Sequence, residues 1–494
     1  MAIRISDIAL FPEDVETDAL HRMTRRRVLE TVGAGALLVG MPYKADAAPT
    51  DVGQWSPVYG WRQVAVHLHL LPNGKILTYT DTYPDPTKPD QSIAHIMEIP
   101  TGGTPREVRA VPNDEVNLFC AGHCFLPDGR LFVAGGQKGN YKNYYRGIVE
   151  AAIFDYRDDT WHDTYQYMQG PRWYPSAICL ANGEVLVVGG TTVDKSTHNL
   201  IPETWLPGRG WRRLTGATQK VPLYAWIFQA PNGRVFMAGH EGQTRWLDTA
   251  GDGKWTLGPR RRVGSRYDGS AVMYAPNRIL VMGGSKPPTA TAEIIDLNGS
   301  QTWQSTDPMQ HSRRFLNATI LPDGKVLVTG GKGGNSYQPI YPAEMWDPAT
   351  GRWATMASMQ VPRLYHSTAL LLPDGRVLSA GGGRSGEPDH KDAELFSPPY
   401  LFKGTRPSIS SAPASVGYGQ AFFVGTPDAS KVATVAFIGI SSVTHTFNTG
   451  QRRIAHVPTQ TAGGIMVTAP ASRNIAPPGG GRHGERPSEA MGRP

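Results

Sequence analysis

Pro322-Asp323-Gly324-Lys325-Val326-Leu327-Val328-Thr329-Gly330-Gly331 reads as a tight turn that runs into an apolar strand and stops on a glycine pair. Proline presets one φ of the turn and glycine accepts the positive φ that a hairpin connection demands. The phrase recurs, with variations, at 71–77, 126–136, 181–190, 231–240, 276–284 and 373–383. The turn glycines are Gly74, Gly129, Gly183, Gly233, Gly324 and Gly375, and Asn277 stands in the equivalent place of the fifth copy. Successive turns lie 55, 54, 50, 44, 47 and 51 residues apart. Between copies come Phe154-Asp155-Tyr156-Arg157-Asp158-Asp159-Thr160-Trp161 and Trp346-Asp347-Pro348-Ala349-Thr350-Gly351-Arg352-Trp353, each predicting a second hairpin with a packing tryptophan.

A period near ~50 residues is that of the kelch repeat, whose units bury their faces only against neighbours and so close into a ring. The fold class expected is all-β: a seven-bladed kelch-type β-propeller over 55–402. After Pro398-Pro399-Tyr400-Leu401 the repeat stops, and short strands with turns predict a small immunoglobulin-like β-sandwich over 403–479. Composition agrees. The 494 residues include 56 Gly and 41 Pro with only 18% charged side chains, a turn-rich globular chain that is neither disordered nor a helical bundle. Lys+Arg 49 against Asp+Glu 42 leaves +7, but no basic run is interleaved with aromatics, so nucleic acid is not an expected partner. Three cysteines, Cys120, Cys124 and Cys179, are too few and too irregular for a disulfide framework or a zinc ribbon.

Residues 1–47 carry Arg25-Arg26-Arg27, a short apolar stretch to Met41 and Ala45-Asp46-Ala47, the three parts of a signal peptide in order. Paired arginines before a Gly-rich, weakly apolar core suit the twin-arginine type. The expected location is therefore periplasmic or extracellular. The apolar stretch falls short of the ~20 residues that span a bilayer.

Equivalent positions in successive blades share one end of the ring, so residues in register converge on its axis. Counting back nine positions from each turn glycine, or from Asn277, gives Ala65, Cys120, Tyr174, Tyr224, Asp268, Phe315 and His366. Tyr267 and Tyr365 precede two of them. A structural inner strand would place small or β-branched residues there. Metal-ligand types recur instead; aromatics plugging a narrow channel mouth are the alternative. His366 with Tyr365 and Tyr174 offers nitrogen and phenolate oxygen, which suit a tetragonal Cu(II) site better than zinc or calcium. Tyr224, Arg266, Tyr267 and Asp268 are candidates for the substrate pocket, with hydrogen-bonded loop structure as the other reading.

Several stretches resemble the galactose oxidase and glyoxal oxidase family of copper radical oxidases: 118–122, 172–176, 363–377, 394–402 and 444–453. They fall in the family's order from about residue 60 to 479. The resemblance implies one copper ion held by Tyr174, Tyr365, His366 and His445, the last on a loop of the C-terminal domain pushed through the propeller. It also implies a Cys120–Tyr174 thioether that carries a tyrosyl radical. The implied reaction is the two-electron oxidation of a primary alcohol or aldehyde hydrate, with Tyr365 as general base and dioxygen leaving as hydrogen peroxide. The implied partners are a small alcohol, aldehyde or carbohydrate substrate and dioxygen, for a protein acting as a monomer.

Two departures favour the glyoxal-oxidase side over galactose. Thr192 stands where galactose oxidase has a tryptophan over the linked tyrosine, and little chain separates the leader from the first repeat. A third concerns the tail. After Asn474-Ile475-Ala476-Pro477-Pro478-Gly479 the family continues with an apolar strand, whereas 480–494 shows no strand periodicity and is expected to be disordered. The lost strand is expected to open an edge, to loosen the domain bearing His445 and to weaken copper binding. The rival from another class is a secreted kelch-type binding protein without catalysis. A sialidase-like or lyase propeller would need clustered carboxylates on the rim, where only Asp268 stands.

Overall fold

Each Pro-Asp/Asn-Gly turn joins two buried strands, and each such hairpin founds its own sheet in a computed structural model that describes residues 3–4, 8–12, 47–81, 91–138, 146–334 and 336–478. The founding pairs are His67–Leu70 with Ile76–Asp81, Gly122–Phe125 with Leu131–Ala134, Trp173–Cys179 with Val185–Thr191 and Trp226–Gln229 with Val235–Gly239. Ser270–Ala275 with Arg278–Met282, Asn317–Ile320 with Val326–Thr329 and Ser367–Leu371 with Val377–Gly381 continue the series. Two outer strands complete each of the sheets founded before Ser367, as in Pro342–Asp347 with Arg352–Ser358. The last sheet borrows its outer strand from the start of the repeat region: Gln54–Trp55 pairs with Asp392–Ser397, so the two ends of the repeat array join in one sheet. That seam closes the ring without a covalent link.

Packing between sheets follows the same logic. Cys124, Phe132, Ile153 and Trp205 with Ala177, Val185 and Val187 form one apolar cluster across two neighbouring sheets. Trp226, Phe236 and Trp246 with Met273, Val281 and Trp303 form another, and Leu321, Leu327 and Met345 with Leu371, Val377 and Phe396 a third. Of the tryptophans expected to pack the second hairpins, Trp346 is buried, and Trp161 and Trp353 are half-buried against neighbouring core clusters. Cys124 and Cys179 are buried in the same way and behave as small apolar side chains.

The glycine pairs have a specific cause. Gly331 donates its N–H to the Arg363 carbonyl of the next sheet (2.7 Å), and a Cβ on Gly330 would lie 2.4 Å from that same oxygen. Both residues hold positive φ. Only glycine allows one sheet's end to touch the next so closely.

Beyond residue 403 two small sheets face each other: Ala421–Gly425, Gly464–Thr468 and Thr459–Thr461 in one, Val432–Ile438 and Arg453–His456 in the other. Phe422, Val424, Val435, Phe437, Ile454 and Val467 fill the space between them. One edge of the second sheet is covered from the start of the chain. Ile8–Pro12 pairs antiparallel with Val432–Ile438, from Ile8 opposite Phe437 to Pro12 opposite Val432, and Leu10 is buried in the same core. Ile3–Arg4 likewise pairs with Ser415–Val416. A short apolar run at the start of the chain thus covers the edge. The twin-arginine stretch and the tail 480–494 lie outside the described residues. Among the described residues no helix is long and apolar enough to cross a membrane.

Candidate metal centre

All but the first of the positions found by register counting share one backbone signature. Cys120, Tyr174, Tyr224, Asp268, Phe315 and His366 all hold positive φ, from 47° to 64°. Cys120, Asp268 and His366 each sit in a tight turn: Ala121 N–H donates to Leu118 O (3.1 Å), Gly269 to Arg266 O (3.1 Å) and Ser367 to Leu364 O (3.0 Å). The third place of such a turn normally calls for glycine. Bulky residues there carry strain, which a surrounding structure must hold.

Buried arginines hold it. Arg172, Arg266, Arg313 and Arg363 each donate to a glycine carbonyl at the end of their own sheet, Gly189, Gly283, Gly330 and Gly381, at 2.7 to 3.0 Å. Each also faces a buried glutamate on the third strand: Glu203, Glu293, Glu344 or Glu394. This corrects the reading of Arg266 as a substrate residue. It is fully buried, 3.1 Å from Glu293, and recurs in other blades because it anchors the turn that presents the next residues.

The first blade has only Ala65 at this position, and a hairpin of the C-terminal domain takes its place. Ser442–Thr444 pairs with His67–Leu70, and Phe447–Thr449 returns beside it. His445 and Thr446 form the two-residue connection, both with positive φ (44° and 69°), the geometry of a primed hairpin turn. Thr446 donates to Gly269 O (2.6 Å) and accepts from Ser270 Oγ (2.5 Å), so the propeller grips the turn directly. Behind it, Gln451 bonds both N–H and C=O of Ile320 at 2.9 and 3.1 Å.

These two deliveries bring Cys120, Tyr174, Tyr365, His366 and His445 around one point. The phenol oxygens of Tyr174 and Tyr365 are 2.6 Å apart. Cys120 Sγ lies 3.8 Å from His445 Nε2, and a ligand atom each from Cys120, His366 and His445 fall within 4.8 Å of one another. The tautomers follow from the partners. His366 Nδ1 donates to Gly383 O (2.7 Å), which leaves Nε2 buried and unpartnered. Thr444 Oγ1 gives its only proton to Val66 O (2.8 Å) and so accepts from His445 Nδ1 (2.7 Å), which frees His445 Nε2 for the centre. Burial holds both imidazoles neutral, His366 down to about 4 and His445 well below its ordinary value. Burial also pushes both phenols up, helped by the neighbouring Cys120.

Two imidazole nitrogens aimed inward with their far sides tied, beside two phenols, form an N₂O₂ donor set that fits a copper(II) ion. A bound cation would reverse the phenols' preference for their protons, since its charge replaces the missing solvation.

The other candidates divide. Tyr224 is buried, stacks on His445 (4.3 Å, 25°) and donates its hydroxyl to Ala121 O (3.0 Å). Asp268 is ion-paired to Arg314 at the mouth, and Tyr267 is exposed above it. Thr192 spends its hydroxyl on Thr197 O. The ring of Tyr174 instead has Trp173 edge-on at 4.2 Å and Tyr224 at 4.9 Å. Register counting reached Phe315 without assigning it; its ring lies 5.1 Å from Tyr365, under Arg314. It missed Trp173 and His67 altogether.

Comparison with known proteins gives a consistent picture. Residues 406–481 match the family described as Galactose oxidase-like, Early set domain. Galactose oxidase of Gibberella zeae is 30% identical over 413 residues, 75% of this chain and 59% of the relative. Aldehyde oxidase GLOX of Vitis pseudoreticulata is 28% identical over 424 residues, 74% of this chain and 78% of the relative. The chain therefore spans 59% of the length of that galactose oxidase. Among solved structures, a fungal alcohol oxidase of the AA5 family in complex with copper aligns with a TM-score of 0.77 at 28% identity, covering 87% of this chain and 95% of the other.

Proposed function

We propose, for this homologue of the galactose and glyoxal oxidases, a copper-dependent oxidase that converts small primary alcohols or aldehydes with dioxygen to the aldehyde or acid plus hydrogen peroxide. The observation that carries the reading is the pair of phenols 2.6 Å apart beside two imidazoles whose Nδ1 atoms are both tied back, so that each turns its Nε2 to the centre. Tyr174, Tyr365, His366 and His445 would hold the ion. When bound, copper supplies a one-electron couple and a Lewis acid.

The residues divide the remaining work. Tyr365, a half-buried residue, takes the hydroxyl proton of the substrate as general base. Phe315 and the aliphatic stem of Arg314 wall its outer side and keep bulk water from that proton. Tyr174, with Cys120 joined to its ring as a thioether, stores the second oxidising equivalent and accepts hydrogen from the substrate carbon. Trp173 and Tyr224 flank that ring and take over the shielding that Thr192 cannot provide. Arg314 and Asp268 form an ion pair beside Phe315 and Tyr365, and the departure at Thr192 favours small aldehydes and alcohols over a sugar. The chain acts outside the cytoplasm as a monomer, exported through its twin-arginine stretch with Ile8–Pro12 kept in the fold.

The test is peroxide release from copper-loaded protein with a panel of small aldehydes and primary alcohols, beside a Tyr365→Phe variant. Turnover in the wild type, lost in the variant with copper retained, supports the reading. Full copper loading without turnover on any substrate would point to a propeller that binds and does not catalyse.

A further inference from the structure

One hydrogen bond recurs three times along the rim. Tyr174 N–H donates to Cys120 O (2.9 Å), Tyr224 N–H to Tyr174 O (3.1 Å) and Phe315 N–H to Asp268 O (2.6 Å), each reaching the rim carbonyl of the blade before. For Cys120 the blade before is the first, and its rim carbonyl, Ala65 O, already accepts from Thr368 Oγ1 (3.0 Å). The Cys120 N–H donates instead to a side chain, Nε2 of His67, at 3.0 Å.

His67 is well placed to hold that bond still. It is fully buried, its ring lies flat on Tyr79 (4.4 Å, 14°), and His123 stands edge-on to it (5.3 Å, 79°). In the sheet it pairs with Thr444, the residue that also fixes the His445 tautomer. One imidazole thus links the inserted hairpin to the cysteine. Because Nε2 accepts, the ring proton sits on Nδ1. Burial, with His123 and His445 adding to it, keeps the ring neutral.

We infer that His67 is a positioning residue for covalent maturation of the site: by accepting the Cys120 N–H it holds Cys120 in its left-handed turn with the sulfur against Tyr174. The inference rests on the oxidase reading above. In the step it serves, the Cys120 S–H bond and one ring C–H bond of Tyr174 break and one S–C bond forms. The two electrons and two protons released pass to dioxygen, which becomes hydrogen peroxide. A misplacement of about 1 Å at a reacting atom is worth about a hundredfold in rate. Without the imidazole the buried Cys120 N–H loses its acceptor, and the Leu118–Ala121 turn bond and the Tyr174 N–H alone remain to hold the residue at φ 60°.

The test compares full-length wild type with His67→Phe, which keeps the stack on Tyr79 and removes the acceptor, and with His67→Gln, whose Oε1 restores one. Each is loaded with copper in air and quenched at intervals, and the Cys120–Tyr174 linked peptide is counted by mass spectrometry alongside copper bound per chain. The expected result is linkage about a hundredfold slower in the Phe variant at unchanged copper content, with the Gln variant close to wild type. Linkage at the wild-type rate in the Phe variant overturns the inference. A folded Gln variant that links as slowly as the Phe variant overturns it too, and this arm decides if the Phe variant does not fold. Wild-type protein that takes up copper and never links overturns the oxidase reading, and this inference with it.

Discussion

Cys120 and Tyr174 reach the centre from consecutive blades, each on a left-handed turn bonded to its neighbour, whereas His445 arrives on a hairpin that belongs to another domain. The blade positions are multiply determined: by register, by a buried arginine in several blades, and by contact with the adjoining sheet. The hairpin turn is gripped through Thr446, Ser270 and Thr444, with Gln451 as its brace. A repeat can supply a rigid ring of side chains, but the gap at Ala65 shows where the repeat was given up so that one ligand could enter. The contrast predicts that damage to the two regions reads out differently.

The largest expected separation is between Tyr365→Phe and Arg313→Ala. Loss of the general base lowers kcat by about 10²–10⁴ with little change in melting temperature. Arg313→Ala removes the guanidinium from the buried Glu344, leaving it only the Gln310 and His311 donors, and lowers stability by about 3 kcal/mol, while the surviving folded protein keeps its activity. Comparable stability losses in both would break the distinction. Next comes the brace. Gln451→Ala leaves the buried N–H and C=O of Ile320 unpaired, worth about 1–3 kcal/mol. The loss should appear as weaker copper binding by titration before the propeller melts. Unchanged copper affinity would mean that the turn contacts alone hold His445.

Leu10→Asp tests whether the first residues of the chain support the second domain. Burying a carboxylate among Val435, Phe437 and Ile454 should release Ile8–Pro12 and lower the domain's stability by about 2 kcal/mol, seen as protease sensitivity near Val432–Ile438. No change in cleavage would show that this edge needs no cover.

The last test is of pH. Burial holds His240 down to about 4 and His123 to about 3, against an ordinary 6.5. The unfolded chain therefore binds more protons below pH 6.5, and the metal-free protein should lose stability as pH falls from 6.5 towards about 3. A flat melting profile over that range would mean the imidazoles are hydrated.

The repeats were legible because a hairpin turn has a local cause, and the rim was legible because equal spacing from that turn maps onto equal depth in the ring. The same count could not separate Arg266 from a ligand, since a buried anchor and a substrate arginine look alike until Glu293 is seen opposite. His445 was out of its reach because the hairpin pairs residues far apart in the chain, and only the family resemblance pointed to it. His67 lies on a strand whose alternation shows nothing unusual, and its role depends on a hydrogen bond 53 positions away. Ile8–Pro12 read as part of a leader for the same reason: its partner strand lies at the other end of the chain.

The central claim is that one strained ring of turns and one borrowed hairpin assemble a radical copper site. Peptide mass spectrometry of the protein after aerobic copper loading tests it most directly. The account predicts loss of two hydrogens, mapped to a peptide in which Cys120 is joined to Tyr174. Separate, unmodified Cys120 and Tyr174 peptides from copper-saturated protein would contradict it.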